Sequence, residues 1–193
     1  PLLRREDMVT VDTHTGGLVV VGSHTRMTTS QLEELMQLPC VVPIQFNSDL
    51  VLQGDEVFYA EVDRCVALEE EAIRSGKVAV CYTSRTLLTV ENDTPESALL
   101  RSVKISEGVQ SLVGRLKVTP AFIIAKGGIT SSTVGTEALG VKKANVLGQI
   151  CPGIPVWQTD STSKFPKIPY VIFPGNVGDT DTLRHAVEVL TEA

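Results

Sequence analysis

The chain has 193 residues, of which 42% are hydrophobic and 21% charged, which is enough apolar material for a core and excludes a disordered chain. A formal net charge of −6, with no run of Lys or Arg longer than two, excludes nucleic acid as the main partner and requires any anionic ligand to be held by local groups. No apolar run approaches membrane-spanning length, and no apolar h-region follows Pro1-Leu2-Leu3-Arg4-Arg5, so a cytoplasmic protein is expected.

The first 17 residues are polar and patternless and are expected to form a linker or N-terminal arm ahead of a domain spanning residues 18–193. Leu18–Val21 reads as a buried strand from its β-branched run. A helix is predicted from Thr28, with Gln31 as a capping-box partner and Leu32, Leu35, Met36 and Leu38 on its apolar face. Val41–Phe46 is the second predicted strand. A long helix over 55–75 carries Phe58, Val62, Cys65, Ala72 and Ile73 near a 3.6 period and ends at Gly76. The run Glu69-Glu70-Glu71 on it reads as a solvated face. Lys77–Tyr82 is the third strand. Thr94-Pro95 opens a helix with Ile105, Val109, Leu112, Val113 and Leu116 on its core face.

Ala121–Ala125 is the fourth strand, broken by Gly127-Gly128, and a short helix is expected from Ser131 to Leu139. Three further strands are predicted over Ala144–Ile150, Ile154–Thr159 and Tyr170–Phe173, before a last amphipathic helix capped by Asp179. Strands alternating with helices give an α/β fold: a mixed, mostly parallel sheet with helices on both faces, in three layers.

Cys40, Cys65, Cys81 and Cys151 form no CxxC pair and read as buried thiols in a reducing compartment. His14, His24 and His185 lack metal-ligand spacing, so no metal site is expected in the chain. Trp157 is open to either base stacking or packing, and Asp160 and His185 show no partner in the sequence.

Ligands in open α/β sheets bind outside the carboxyl ends of strands, which singles out three loops. They are Gly22-Ser23-His24, Lys126-Gly127-Gly128-Ile129-Thr130-Ser131-Ser132 and Pro174-Gly175-Asn176-Val177-Gly178-Asp179. In the second loop, glycines permit close approach of backbone N–H groups to an anion, hydroxyls flank them, and Lys126 adds a charge. A tight turn with an ordinary Ser/Thr cap is the competing explanation. In the third loop, Asn176 is suited to a left-handed backbone or to bonding an adenine or ribose edge. Gly17 and Gly22 have the spacing of a Walker A loop, but the Lys is missing and the residues between them are a strand.

Taken in order, Val21-Gly22-Ser23-His24, Tyr82-Thr83-Ser84-Arg85, Ala125-Lys126-Gly127-Gly128-Ile129-Thr130-Ser131, Pro152-Gly153-Ile154-Pro155 and Phe173-Pro174-Gly175-Asn176-Val177-Gly178 resemble one family. It is the C-terminal nucleotide-binding domain of the four-carbon acid sugar kinases. The resemblance implies an ATP-dependent kinase acting on threonate, erythronate or oxo-tetronate acids, with Mg²⁺ held mainly by the nucleotide phosphates. It places the ATP contacts on Ser23, Gly127, Gly128, Ile129, Thr130 and Gly175, with Lys126 and Asn176 beside them. It also implies a separate N-terminal domain that binds the sugar acid and supplies the catalytic residue. That domain is expected outside this chain, which alone should be inactive. A non-catalytic nucleotide-binding or regulatory module remains the alternative, and a homo-oligomer remains open.

Overall fold

Strand β1 (Leu18–Val21) is buried along its whole length. This is what a strand covered by helices on both faces requires, and it explains why its four residues are all aliphatic. β3 (Val78–Thr83) and β4 (Ile123–Lys126) flank it, both parallel to it. β2 (Val41–Phe46) extends the sheet beyond β3, and β7 (Pro169–Phe173) extends it beyond β4, again in parallel. β6 (Ile154–Gln158) and β5 (Asn145–Cys151) complete the other side as antiparallel neighbours. The strand order is β2-β3-β1-β4-β7-β6-β5, the mixed and mostly parallel sheet expected from the sequence. The computed structural model describes residues 1–192, so Ala193, the end of the expected domain, lies outside the described residues.

Alternation along the strands sends side chains to two cores. Val19 and Val21 meet Leu32 and Leu35 of α2 (Arg26–Leu35) and Leu183 and Val187 of α6 (Thr182–Thr191). Leu18 and Val20 face the opposite layer. There Phe58 and Val62 come from α3 (Asp55–Arg74), and Val109 and Leu112 from α4 (Pro95–Gly114). α5 (Gly128–Thr133) lies on this second face and runs on into a π-helical turn, Val134–Ala138.

Several local expectations are corrected. α2 is capped by Thr25, three residues earlier than predicted, because the Thr25 hydroxyl accepts from the Thr28 amide at 3.1 Å. Gln31 is therefore inside the helix and acts at long range instead of in a capping box. The last helix starts at Thr182, and Asp179 does not cap it; the Asp179 amide instead donates to Thr182 Oγ1 at 2.7 Å. α5 begins at Gly128 and not at Ser131. Glu69 is fully buried on α3 and neither carboxylate oxygen has a partner among the described residues, whereas Glu71 is exposed. The first 17 residues are not loose: α1 (Arg5–Met8) buries Met8, the Leu3 amide donates to Gln149 O, and Arg5 Nε donates to Leu190 O.

Candidate functional site at the carboxyl ends of the strands

The sheet register draws the three loops together. Val21 is level with Tyr82 and Lys126, and Lys126 is level with Phe173. The residues that follow, Gly22, Gly127 and Pro174, therefore leave the sheet in one row. From β1 the chain turns to α2 on one face, and from the adjacent β4 it turns to α5 on the other. Neighbouring strands whose connections part in this way open a crevice, the topological switch point at which α/β sheets bind ligands.

Backbone and side-chain bonds lock the row. The Gly22 amide donates to Lys126 O at 3.1 Å, and the Gly127 amide donates to Phe173 O at 2.9 Å. Gly22 has to be glycine, because a Cβ there would stand 2.0 Å from Thr130 Oγ1. Gly127 has φ +120°, in the region that side chains avoid. The third loop is held from α2: Thr25 and Thr28 hydroxyls donate to Gly175 O at 3.0 and 3.2 Å. The buried Gln31 amide donates to Val177 O at 3.0 Å and Asp179 O at 2.9 Å. Ser23 Oγ lies 3.0 Å from Thr28 Oγ1 and stands beside Gly175.

Lys126 is fully buried, and its ammonium donates to Pro174 O at 2.6 Å and Gly175 O at 3.2 Å. Desolvation lowers its pKa to about 8. Its charge is thus applied to the carbonyls of the third loop.

The first intrahelical bond of α5 runs from the Ser131 amide to Gly127 O at 2.9 Å. The Gly128, Ile129 and Thr130 amides precede it and are donors of the first turn without helical acceptors. Open space surrounds the position of a Gly128 Cβ. Ile129 points outward, 75% exposed, so its contribution at this end is its backbone. Asn176 is exposed and its φ is not positive; Gly178, at φ +85°, takes the left-handed position instead.

Next to the row is a cavity of about 330 Å³. Gly22, His24, Ile129 and Thr130 form one side, and Leu88, Ile105 and Val109 give it an apolar wall. Asn176 and Trp157 do not line it. Trp157 packs edge-on against Tyr170, with ring centroids 6.2 Å apart. The cavity also draws on the segment after β3, where Thr83-Ser84-Arg85 is the only sequence signal and its spacing assigns no role. Among the described residues no group of three or more His, Cys, Asp or Glu side chains is placed to hold a metal ion, and no helix is long and apolar enough to cross a membrane.

The family model for the nucleotide-binding C-terminal domain matches residues 18–183. The chain belongs to this family. It is the domain of the four-carbon acid sugar kinase family that the ordered loops resemble. Similar folds occur in a Bordetella bronchiseptica protein with a domain of unknown function, DUF1537, solved as a domain-swapped dimer with bound citrate. That protein shares 20% identity at a TM-score of 0.69, covering 92% of this chain and 42% of that one. A Salmonella typhimurium LT2 protein, provisionally named a tRNA synthase, shares 21% identity at a TM-score of 0.69, covering 89% of this chain and 40% of that one. This nucleotide-binding domain thus spans about two-fifths of those proteins, and at these identities the likeness is one of fold. No curated protein matches the chain.

Proposed function

We propose that this chain is the nucleotide-holding half of an ATP-dependent kinase that phosphorylates a hydroxyl of a four-carbon acid sugar of the threonate, erythronate or oxo-tetronate type. The observation that carries the reading is the row of Gly22, Gly127 and Pro174 at the switch point, with unpaired α5 amides and an apolar-walled cavity alongside.

In this reading the amides of Gly128, Ile129 and Thr130, with the Ser23 and Thr130 hydroxyls, hold the phosphates, and Gly175 lets them lie close to the third loop. The base enters the cavity against Leu88, Ile105 and Val109. Lys126 shapes the site through the Gly175 loop, and Asn176 borders the phosphate end. Mg²⁺ rides on the phosphates. Phosphoryl transfer depends on positioning and charge neutralisation more than on covalent chemistry, which suits a site built of amides and hydroxyls. The acceptor pocket and the catalytic base are assigned to an N-terminal domain of the parent protein. Relatives more than twice as long as this chain support that division. The domain-swapped state of the Bordetella protein supports a homo-oligomer, and a cytoplasmic setting suits the free thiols.

Calorimetric titration with Mg·ATP tests the site, and a coupled ADP-release assay on the chain joined to its upstream domain tests the reaction. Tight nucleotide binding with no sugar-acid-dependent turnover in that joined protein would make the domain a regulatory module instead.

A further inference from the structure

Arg85 lies two residues beyond the end of β3, on the side of β1 away from the Gly127 and Gly175 loops. Its Nη2 donates to Thr29 Oγ1 of α2 at 2.9 Å. Its Nε and Nη1 are buried and meet no acceptor among the described residues. Guanidinium donors left unpaired inside a protein cost free energy, and such exceptions call for a role. Arg64, Arg101 and Arg115 show the ordinary solution, each pairing with a carboxylate: Glu61, Asp93 and Asp63.

The charged and titratable groups around Arg85 do not supply a counter-ion. His24, on the adjoining loop, feels the Arg85 charge, which together with burial lowers its pKa. Burial lowers the Arg85 pKa, and Tyr82, on β3, only partly opposes it. Asp49 acts on His24 but makes no bond to Arg85. Arg85 lines an open groove of about 750 Å³ along the edge of β2. Asp49 and Thr86 border both this groove and the cavity assigned above to the base. Arg85 therefore stands in a groove that adjoins the candidate nucleotide cavity through Asp49 and Thr86.

We infer that Arg85 is an oxyanion-binding residue at this junction. Its remaining N–H groups take the oxygens of an anion seated in this groove, either the terminal phosphoryl group of the nucleotide or the carboxylate of an acid acceptor. The identity of the anion rests on the kinase reading; the unpaired donors do not. A guanidinium matches two oxygens of either group bidentately, which a lysine does not reproduce.

The test is a ¹H–¹⁵N spectrum of the arginine Nε–H region of this chain. The Arg85 resonance is identified by its absence in Arg85→Lys. Mg·ADP, Mg·ATP, inorganic phosphate and threonate are added in turn. A shift with Mg·ATP but not Mg·ADP supports Arg85 and assigns the terminal phosphoryl group. A shift with phosphate or threonate supports it and assigns a free oxyanion or carboxylate. No shift with any of them, or one already complete with Mg·ADP, overturns the inference. The Gly127 and Gly128 amides in the same spectra report on the nucleotide site separately, so either idea can fail while the other stands. Arg85→Gln should weaken the anion that moves the resonance by about tenfold or more, while Mg·ADP binding stays unchanged. Its melting temperature should equal or exceed the parent's, because the variant removes an unpaired buried charge. A drop in melting temperature with unchanged anion affinity would make Arg85 structural.

Discussion

The Lys126 ammonium stands 2.6 Å from the carbonyl oxygen of Pro174, with the Phe173 ring centroid 4.3 Å away. One side chain thus ties the loop after β4 to the loop after β7. Lys126 is therefore a clamp between two of the loops in the row.

Lys126→Met keeps the length of the side chain and removes both charge-assisted bonds. Gly175 O keeps its Thr25 and Thr28 donors, but Pro174 O loses the donor that Lys126 gives it. The expected cost is about 1–3 kcal/mol in chemical denaturation. The pH dependence has a definite sign. Lys126 titrates at about 8 in the folded chain, below the ordinary lysine value of 10.5, so above pH 8 the unfolded state holds more protons. Stability of the parent relative to Lys126→Met should therefore rise between about pH 8 and 10.5 and stay flat below it. A difference that does not change over this window would show that Lys126 is not desolvated.

Glu69 gives a prediction of opposite slope. Its carboxyl is fully buried with no partner among the described residues, and desolvation, with Cys65 and Glu70 adding to it, raises its pKa well above the ordinary value of 4.5. The folded state then keeps a proton that the unfolded state releases. Stability should fall as pH rises from 4.5, by about 1.4 kcal/mol per pH unit until the folded pKa is reached. Glu69→Gln leaves the polar shape in place and removes the ionisation. It should match the parent near pH 4 and exceed it at pH 8 in urea unfolding. Equal stability at both pH values would mean that Glu69 is solvated.

These two residues show which parts of the molecule the sequence discloses. The bounds of β1 and β2 follow directly from Leu18–Val21 and Val41–Phe46, because aliphatic runs between turn residues have few other uses. The loop row was legible as well, since strand–glycine–helix joints mark carboxyl ends. Glu69 was misread because three successive acids suggest a charged face. Its spacing from Cys65, Val66, Ala72 and Ile73 places it on the buried stripe. The long-range bonds of Thr25, Gln31 and Arg85 are not legible in the sequence for a different reason. Their partners, Gly175, Val177 and Thr29, lie 150, 146 and 56 residues away. Asp160 is similar, accepting from the Lys142 and Lys143 amides across a connection that only the fold closes.

The isolated chain should release no ADP in response to any four-carbon sugar acid. In the proposed reading it holds the phosphates, and the acceptor site belongs to another domain. A coupled assay across threonate and erythronate checks this, and sugar-acid-dependent turnover by these 193 residues would overturn the division of labour. Supplying the upstream domain in cis should restore turnover.

The sharpest test of the phosphate site is Gly128→Val. Gly128 opens α5 without a positive φ, and a Cβ there meets nothing within 4 Å, so folding should be preserved. The same branched side chain would stand over the first-turn amides, where the phosphates are proposed to lie. Losing one or two charge-assisted bonds should weaken Mg·ATP by roughly tenfold or more per bond, at about 1.5–3 kcal/mol each. Gly22→Ala is the contrasting case, because its Cβ would stand 2.0 Å from Thr130 Oγ1 and should lower the melting temperature. Ser75→Ala is the neutral control: Ser75 caps the far end of α3, donating to Glu71 O at 2.8 Å, and binding should not respond to it. Calorimetry on the three variants, each with a melting curve, separates crowding from lost binding. A folded Gly128→Val that holds Mg·ATP as tightly as the parent would reduce the Gly127-Gly128 loop to a turn, and the phosphates would have to be placed elsewhere along the row.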